Sequence, residues 1–544
     1  MGLANHGIFR NPHAPTDFGS RKPFRPEGAK PLDRFLRPIH LGTPFDLPDT
    51  RYGREKASDT QPLCLAALKK SVENARFGLV SRALAASDGP WRRTLSPRLG
   101  PFGGIRMTEA RARLTQILAL AAPTSLLAAT QVIAQLIEPW LAARQGQAAL
   151  AGWAVVLPFT LLLSQMSAGA MGGGVVSAIA RALGGGKRDE AAALAAHALI
   201  IACAGAALFA LPFLFFPRAI LGLIGGAGAA EAGAAYAAWT FGAGALPAWL
   251  ANTLASILRG GGRHALAARG VVGGWLIFPP LAWLFMEPLG LALPGAGMAF
   301  ALSMTGSAVI MALVVVRGGA GFVPDFGAPF SRALFGRILA VGLIACVMAT
   351  LANLATILVT ARIAVAGPAA IAAYGISARM EFLMIPLAFG IGSALTALVG
   401  RAVGAGDWAE ARRIAWTGGG LAFAVTGVIG FGIALFPAQV AAAFASDATV
   451  AAIATEALGI IGWALPGFGL GMALYFASMG AGRMRWPVAA ALMRVGLAVL
   501  GGAFLMDVAG LGLSGQFIAV ALGITAYGLI CALAVRPGVW PGKK

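Results

Sequence analysis

Twelve apolar, charge-poor runs, each long enough to cross a bilayer, constrain this chain more than any other feature. They fall near residues 114–137, 148–180, 191–216, 232–258, 265–286, 295–316, 333–361, 368–400, 411–436, 449–478, 486–506 and 513–535. Hydrocarbon offers a backbone no hydrogen-bond partner, so a run of about 20 apolar residues immersed in it must close its own bonds as a helix. The expected fold is an all-α, multi-pass membrane protein with twelve transmembrane helices. Only 12% of the 544 residues are charged and the mean hydropathy is +0.76, whereas a soluble chain carries about 25% charged residues. A lipid bilayer is therefore the first expected partner.

A net charge of +20 invites a nucleic-acid reading, and its distribution removes that reading. Residues 1–106 hold 18 Lys+Arg, 9 Asp+Glu and 12 of the 31 prolines. This composition fits a basic, Pro-rich, disordered leader, and no secretory apolar core lies within it. The leader is either a cytoplasmic tail able to touch anionic headgroups or translated upstream sequence, with Met107 the true start; the second is favoured. Beyond it, Lys and Arg gather in alternate loops, including Arg181, Lys187, Arg188, Arg259, Arg263, Arg401, Arg412 and Arg483, and the other loops hold only Arg144, Arg218 and Arg362. By the positive-inside rule both termini are cytoplasmic, in a multi-pass protein of the cytoplasmic (inner) membrane.

The sequence repeats itself at an offset of 220 residues. Arg181-Ala-Leu-Gly-Gly-Gly186 with Glu190-Ala191 recurs as Arg401-Ala-Val-Gly-Ala-Gly406 with Glu410-Ala411. Phe216-Pro217 recurs as Phe436-Pro437, Gly260, Gly262 and Arg263 as Gly480, Gly482 and Arg483, and Gly290-Leu291 as Gly510-Leu511. Six spans per repeat keep both copies in one orientation, so residues 107–317 and 333–536 are expected to form two parallel six-helix bundles related by a pseudo-twofold along the membrane normal. Residues 318–332 link them and 537–544 form a tail. Two such bundles can rock about a cavity between them, which is a transporter design.

The glycine loops do not bind phosphate in the P-loop manner: Lys187 is followed by Arg188, and Arg181 stands where the first glycine belongs. Gly184, Gly186, Gly404 and Gly406 are expected to turn the chain tightly between helices, and Asp407 with Glu410 has the spacing of a variant capping box. Cys64, Cys203, Cys346 and Cys531 are isolated, and His197 and His264 stand far apart, so neither metal nor disulfide framework is expected, nor any cofactor or catalytic set.

Without a nucleotide motif, uphill transport needs an ion gradient, and a coupled cation needs a carboxylate. Glu138 shares one face of the first helix with Gln131, Gln135 and Thr124; its competing role is a solvated interfacial acid. Glu381, mid-way along the eighth helix, is the second candidate, with Arg379 pointing nearly the opposite way. Glu381 could equally lock two helices in an ion pair, and Arg379 could meet Glu138. Asn353, Thr356 and Thr360 stripe the seventh helix and Asn252 and Ser256 the fourth, lining a cavity or bonding helix to helix. Pro123 offers a hinge in the first helix, and Pro158, Pro247, Pro386 and Pro466 allow bends elsewhere.

These loops, together with Gln145-Gly-Gln-Ala-Ala-Leu-Ala-Gly and Ala366-Gly-Pro-Ala-Ala-Ile-Ala-Ala at the starts of the second and eighth helices, resemble the MATE (multidrug and toxic compound extrusion) family over about residues 107–536. The resemblance implies a secondary active antiporter that exports small organic, often cationic compounds in exchange for protons or sodium. Family members commonly carry an acid in the first helix, which implies ion coupling at Glu138. The NorM-type acids of the seventh and tenth helices have no counterpart in 338–361 or 457–478, which favours protons over sodium and leaves Glu381 second. Gln131, Gln135, Asn353, Thr356 and Arg379 are the expected cavity residues. A monomer is expected. The alternatives are a lipid-linked precursor flippase, disfavoured by the scarcity of intramembrane cations beyond Arg379 and Arg494, and a multi-span enzyme, for which no catalytic cluster exists.

Overall fold

A computed structural model describes residues 105–540. The leader reading of residues 1–106 lies almost wholly outside them. Twelve helices are long and apolar enough to cross a membrane, and no strand forms among the described residues. The first half contains α1 (Ile105–Arg144), α2 (Gln147–Gly184), α3 (Arg188–Phe215), α4 (217–260), α5 (His264–Met286) and α6 (Ala292–Val316). The second contains α7 (Arg332–Ala366), α8 (Pro368–Gly404), α9 (Trp408–Leu435), α10 (Ala448–Ala481), α11 (Arg485–Val508) and α12 (Gly512–Ala534). The repeat is visible element by element, α3 and α9 starting and ending 220 residues apart.

Several boundaries differ from the sequence expectation. At 1.5 Å per residue, the 40 residues of α1 extend about 60 Å, so α1 tilts or projects beyond a core of about 30 Å. It also runs through Met107, the expected domain edge. The stretch 217–231, expected as a loop, is helical and broken at Gly226, whose φ of 73° no β-carbon-bearing residue readily adopts. In the tail, Trp540 is buried and lies 6.0 Å from Trp408 of α9, ring to ring. The linker is bonded to α3: Asp325 N–H donates to the Ala192 carbonyl, and Ser331 N–H to His197 Nε2 at 3.0 Å.

One asymmetry between the halves has a direct structural consequence. The glycines that open α2 and α8, Gly146 and Gly367, are 221 residues apart, whereas the glycines that end them, Gly184 and Gly404, are 220 apart. The extra residue in α2 is absorbed as a π-helical turn, Gln165–Met171, absent from α8. An i→i+5 turn widens the helix and frees carbonyls and side chains on one face, which is why such turns recur at functional sites.

The ends bearing most of the arginines are where the halves lock together, and the lock is reciprocal. Arg181 of α2 donates to the Gly480 carbonyl at the end of α10 and to Ser177 Oγ, which itself donates to the Met479 carbonyl at 2.5 Å. Arg401, its repeat partner on α8, donates to the Gly261 carbonyl after α4 at 2.7 Å. Arg113 of α1 pairs with Glu410 of α9 at 2.7 Å, and Arg337 of α7 with Glu190 of α3. A β-carbon on Gly184 would sit 2.1 Å from the Arg401 carbonyl oxygen, and one on Gly404 equally close to that of Arg181. Gly186 and Gly406, with φ of 75° and 80°, make the turns as expected; Gly184 and Gly404 instead permit backbone contact between the halves. Asp407 caps α9 through the Glu410 N–H at 2.8 Å, but the Glu410 carboxylate goes to Arg113 and Arg413 rather than back to the cap.

Candidate functional site

Polar side chains from three helices converge on the π-turn of α2. Gln131 of α1 donates to Ser164 Oγ at 2.9 Å, Asn252 of α4 donates to Ser167 Oγ at 2.9 Å, and Asn353 of α7 donates to Gln165 Oε1 at 3.0 Å. The last of these crosses between the halves. Hydrogen bonds of this kind substitute for the water that the bilayer lacks, and the widened turn is what presents Ser164, Gln165 and Ser167 to three neighbours. Gln131 and Asn353 were legible as polar stripes; that both meet α2 was not, because the one-residue insertion that aims its side chains shows only when the two ends of the repeat are aligned separately.

Glu138 lies two turns along α1 from Gln131 and is buried. The Tyr236 hydroxyl of α4 donates to its Oε1 at 2.5 Å, and the Trp153 indole of α2 serves the same carboxylate. Gly152 and Gly233 bring those two residues together: a β-carbon on either would stand 2.7 Å from backbone of the other helix, so α2 and α4 cross at their closest approach beside Trp153 and Tyr236. Among the described residues no cation pairs with Glu138. The solvated interfacial role weighed for it is thereby excluded, and so is the pairing with Arg379.

The other expected site residues scatter. Thr124 is buried against His264 Nδ1 of α5 at 3.4 Å, away from Gln131. Gln135 is half-buried. Thr356 is half-buried and bonds back to the Ala352 carbonyl of its own helix, as Thr360 does to the Thr356 carbonyl. Arg379 is exposed, with no ion pair among the described residues. Pro123 lies inside α1, as does Pro139. Glu381 pairs with Arg494 of α11, whose guanidinium also lies 5.4 Å from the Phe468 ring and 5.9 Å from that of Tyr527. This ion pair within the second half is the locking role that the sequence left open for Glu381, and Arg494 is the partner it left unnamed. Cutting one partner of this half-buried pair leaves the other charge uncompensated within the span. Glu381→Gln is expected to lower the melting temperature in detergent, and Glu381→Gln with Arg494→Met to recover it; equal melting of the single variant and the parent would contradict the assignment.

The site residues missed at the sequence level are Tyr236, Ser164, Gln165 and Ser167, with Arg181, Arg401 and Arg259. The three arginines read as loop charges, and only the burial of Arg259 and the bonds of Arg181 and Arg401 across the halves show otherwise. No group of His, Cys, Asp or Glu able to hold a metal ion occurs among the described residues.

The sequence pattern of the MatE family matches residues 123–284 and again residues 343–504, the same 220-residue register as the repeat. The chain belongs to this family. Across 424 residues, or 74% of this chain and 88% of the relative, it is 32% identical to a probable multidrug resistance protein NorM of Deinococcus radiodurans. Solved structures of the superfamily share the fold. A MOP superfamily transporter from Pyrococcus furiosus superposes with a TM-score of 0.73 at 22% identity, covering 78% of this chain and 95% of that one. The Vibrio cholerae MATE transporter VcmN in its bent form gives a TM-score of 0.72 at 20% identity, with 79% and 97% covered. As a MATE family member the chain is a multi-pass membrane transporter, and its two halves are the two copies of the family's repeating unit.

Proposed function

We propose that this chain is a secondary antiporter of the cytoplasmic membrane that exports small organic compounds in exchange for protons, working by alternating access with the arginine-rich ends facing the cytoplasm. The observation that carries this reading is Glu138: a carboxyl buried among α1, α2 and α4, bonded by a tyrosine and unpaired by any cation among the described residues. Other span acids are paired with cations, Glu381 with Arg494, Glu231 with Arg218 and Asp507 with Arg362; Glu456, which lies in α10 just before the acid-free stretch 457–478, is exposed and accepts from Ser514. A transported cation needs a carboxylate whose charge is not already spent.

In this cycle, the reciprocal arginine lock describes the conformation closed to the cytoplasm. A proton arriving from outside binds Glu138 and alters its bond to Tyr236, and α1 bends at Pro123. That shift reaches Gln131, two turns away, and through Ser164 the π-turn that joins α7 of the other half. Substrate leaves outward, the lock opens, and the proton is released inside. The gradient can drive this only because the two conformations differ in affinity for proton and substrate.

Efflux of a fluorescent dye from membrane vesicles under an imposed proton gradient, repeated with sodium, tests the reading. Proton-driven efflux is expected, with no translocation of a lipid-linked sugar in the same vesicles. Absence of efflux under both gradients would overturn it.

A further inference from the structure

Arg259 ends α4 and is 3% exposed. Its guanidinium donates to Ser256 Oγ at 2.7 Å and lies 5.8 Å from the Phe389 ring, its Nε has no partner, and no carboxylate among the described residues reaches it. Helical side chains lean toward the N-terminus of their helix, so this guanidinium lies deeper in the membrane than its own backbone. Phe389, which it meets, stands about four turns before the end of α8. There Arg259 forms one wall of a small cavity at the seam between the halves, with Gly169 of α2, Phe389 and Ser393 of α8 and Phe476 of α10. In this closed conformation the cavity has room for about one water.

The repeat shows that packing does not require the charge. The residue 220 positions on is Met479, whose sulfur occupies the space that a β-carbon on Gly173 would enter, 2.1 Å away. The residue 220 positions on from Gly173 is Ser393 of α8, which lines the cavity beside Arg259, while Gly172, in Arg259's own half, leaves room for Ser256, its β-carbon position lying 2.6 Å from Ser256 Oγ. One slot, related by pseudosymmetry, thus takes an apolar thioether in one half and a cation in the other. A buried guanidinium satisfied by one hydroxyl is costly in a membrane interior, and the free Nε–H points to a negative group that the chain itself does not supply.

We propose that Arg259 recognises an anionic group on the exported compound, so that aromatic carboxylates and zwitterions, rather than simple organic cations, are the substrate class. The guanidinium fork suits a carboxylate, Ser393 adds a hydroxyl, and Phe389 and Phe476, ring centroids 5.7 Å apart in an edge-to-face contact, offer apolar surface to an aromatic body. When the arginine lock opens, this is the seam that widens. The proposal rests on the exporter reading above.

Its test uses the purified full chain in proteoliposomes with two matched fluorescent probes, a coumarin carboxylate and the corresponding trimethylammonium coumarin. Under a proton gradient the wild type is expected to transport the carboxylate, and Arg259→Met, which copies the second half's own residue, to lower the carboxylate-to-cation flux ratio at least tenfold, with partial recovery in Arg259→Lys. Binding of the carboxylate to the wild type in detergent, followed by tryptophan fluorescence, gives a readout independent of any variant's folding, and saturable binding is expected. An unchanged ratio in Arg259→Met, transport of the cation alone, or no carboxylate binding would overturn the proposal while leaving the exporter reading in place. No flux of either probe under a proton or a sodium gradient, with the carboxylate still bound, would instead remove the exporter reading and this inference with it.

Discussion

Glu138→Gln is expected to reduce proton-driven efflux at least a hundredfold in vesicles while the protein remains folded by detergent melting. The amide keeps the volume of the carboxyl and still presents an oxygen to the Tyr236 hydroxyl, so the crossing of α2 and α4 at Gly152 and Gly233 is not disturbed. What it removes is the exchangeable proton. Loss of coupling without loss of fold would therefore be assigned to protonation rather than packing. Tyr236→Phe makes a milder change, deleting one hydrogen bond to the carboxyl, and should shift the pH profile of efflux without abolishing it. Full proton-coupled efflux by Glu138→Gln would end the mechanism proposed for this site.

Gly404→Ala is expected to cut transport at least tenfold by a different route. Its β-carbon would lie 2.1 Å from the Arg181 carbonyl oxygen and within 3 Å of two further backbone atoms, where ordinary contact begins near 3.4 Å. No side chain can swing aside, so the two turns must part and the reciprocal arginine bonds must stretch with them. Because the lock is pseudosymmetric, Gly184→Ala should act alike through the Arg401 backbone. Spin labels at Lys187 and Ala405, both exposed, should report a longer separation in either variant. Gly420→Ala is the control: it also adds a methyl to a helix, but into open space, and should transport normally. Unchanged label distances and transport in Gly404→Ala would show that the lock is not needed for the cycle.

The two kinds of residue in these predictions were legible to different degrees. Gly184 and Gly404 appear in the sequence as a repeated motif, yet their spacing suggested turns, and the turn-making residues proved to be Gly186 and Gly406. Glu138 was identifiable because an acid in an apolar helix is costly wherever it points. Its partner Tyr236, 98 residues away, was not. Glu381 likewise stood out alone, with Arg379 pointing away from it, but Arg494, 113 residues on, could not be identified as its partner until the rotation of α8 about its axis was known.

What the sequence by itself determined is the count of spans, the two-copy architecture and the charge asymmetry of the loops. Each of these follows from local rules: hydrocarbon accepts only long apolar helices, and duplicated segments keep their register along the chain. Only the tertiary structure decided which polar groups meet. Within a bilayer the hydrophobic pattern does not distinguish a helix's buried face from its lipid face, so helix rotation is set by glycine contacts and inter-helix hydrogen bonds. Three of those bonds land on or beside the π-turn that takes up the extra residue of α2, and Arg259, where the repeat has Met479, sets a cation facing the seam between two otherwise matching halves.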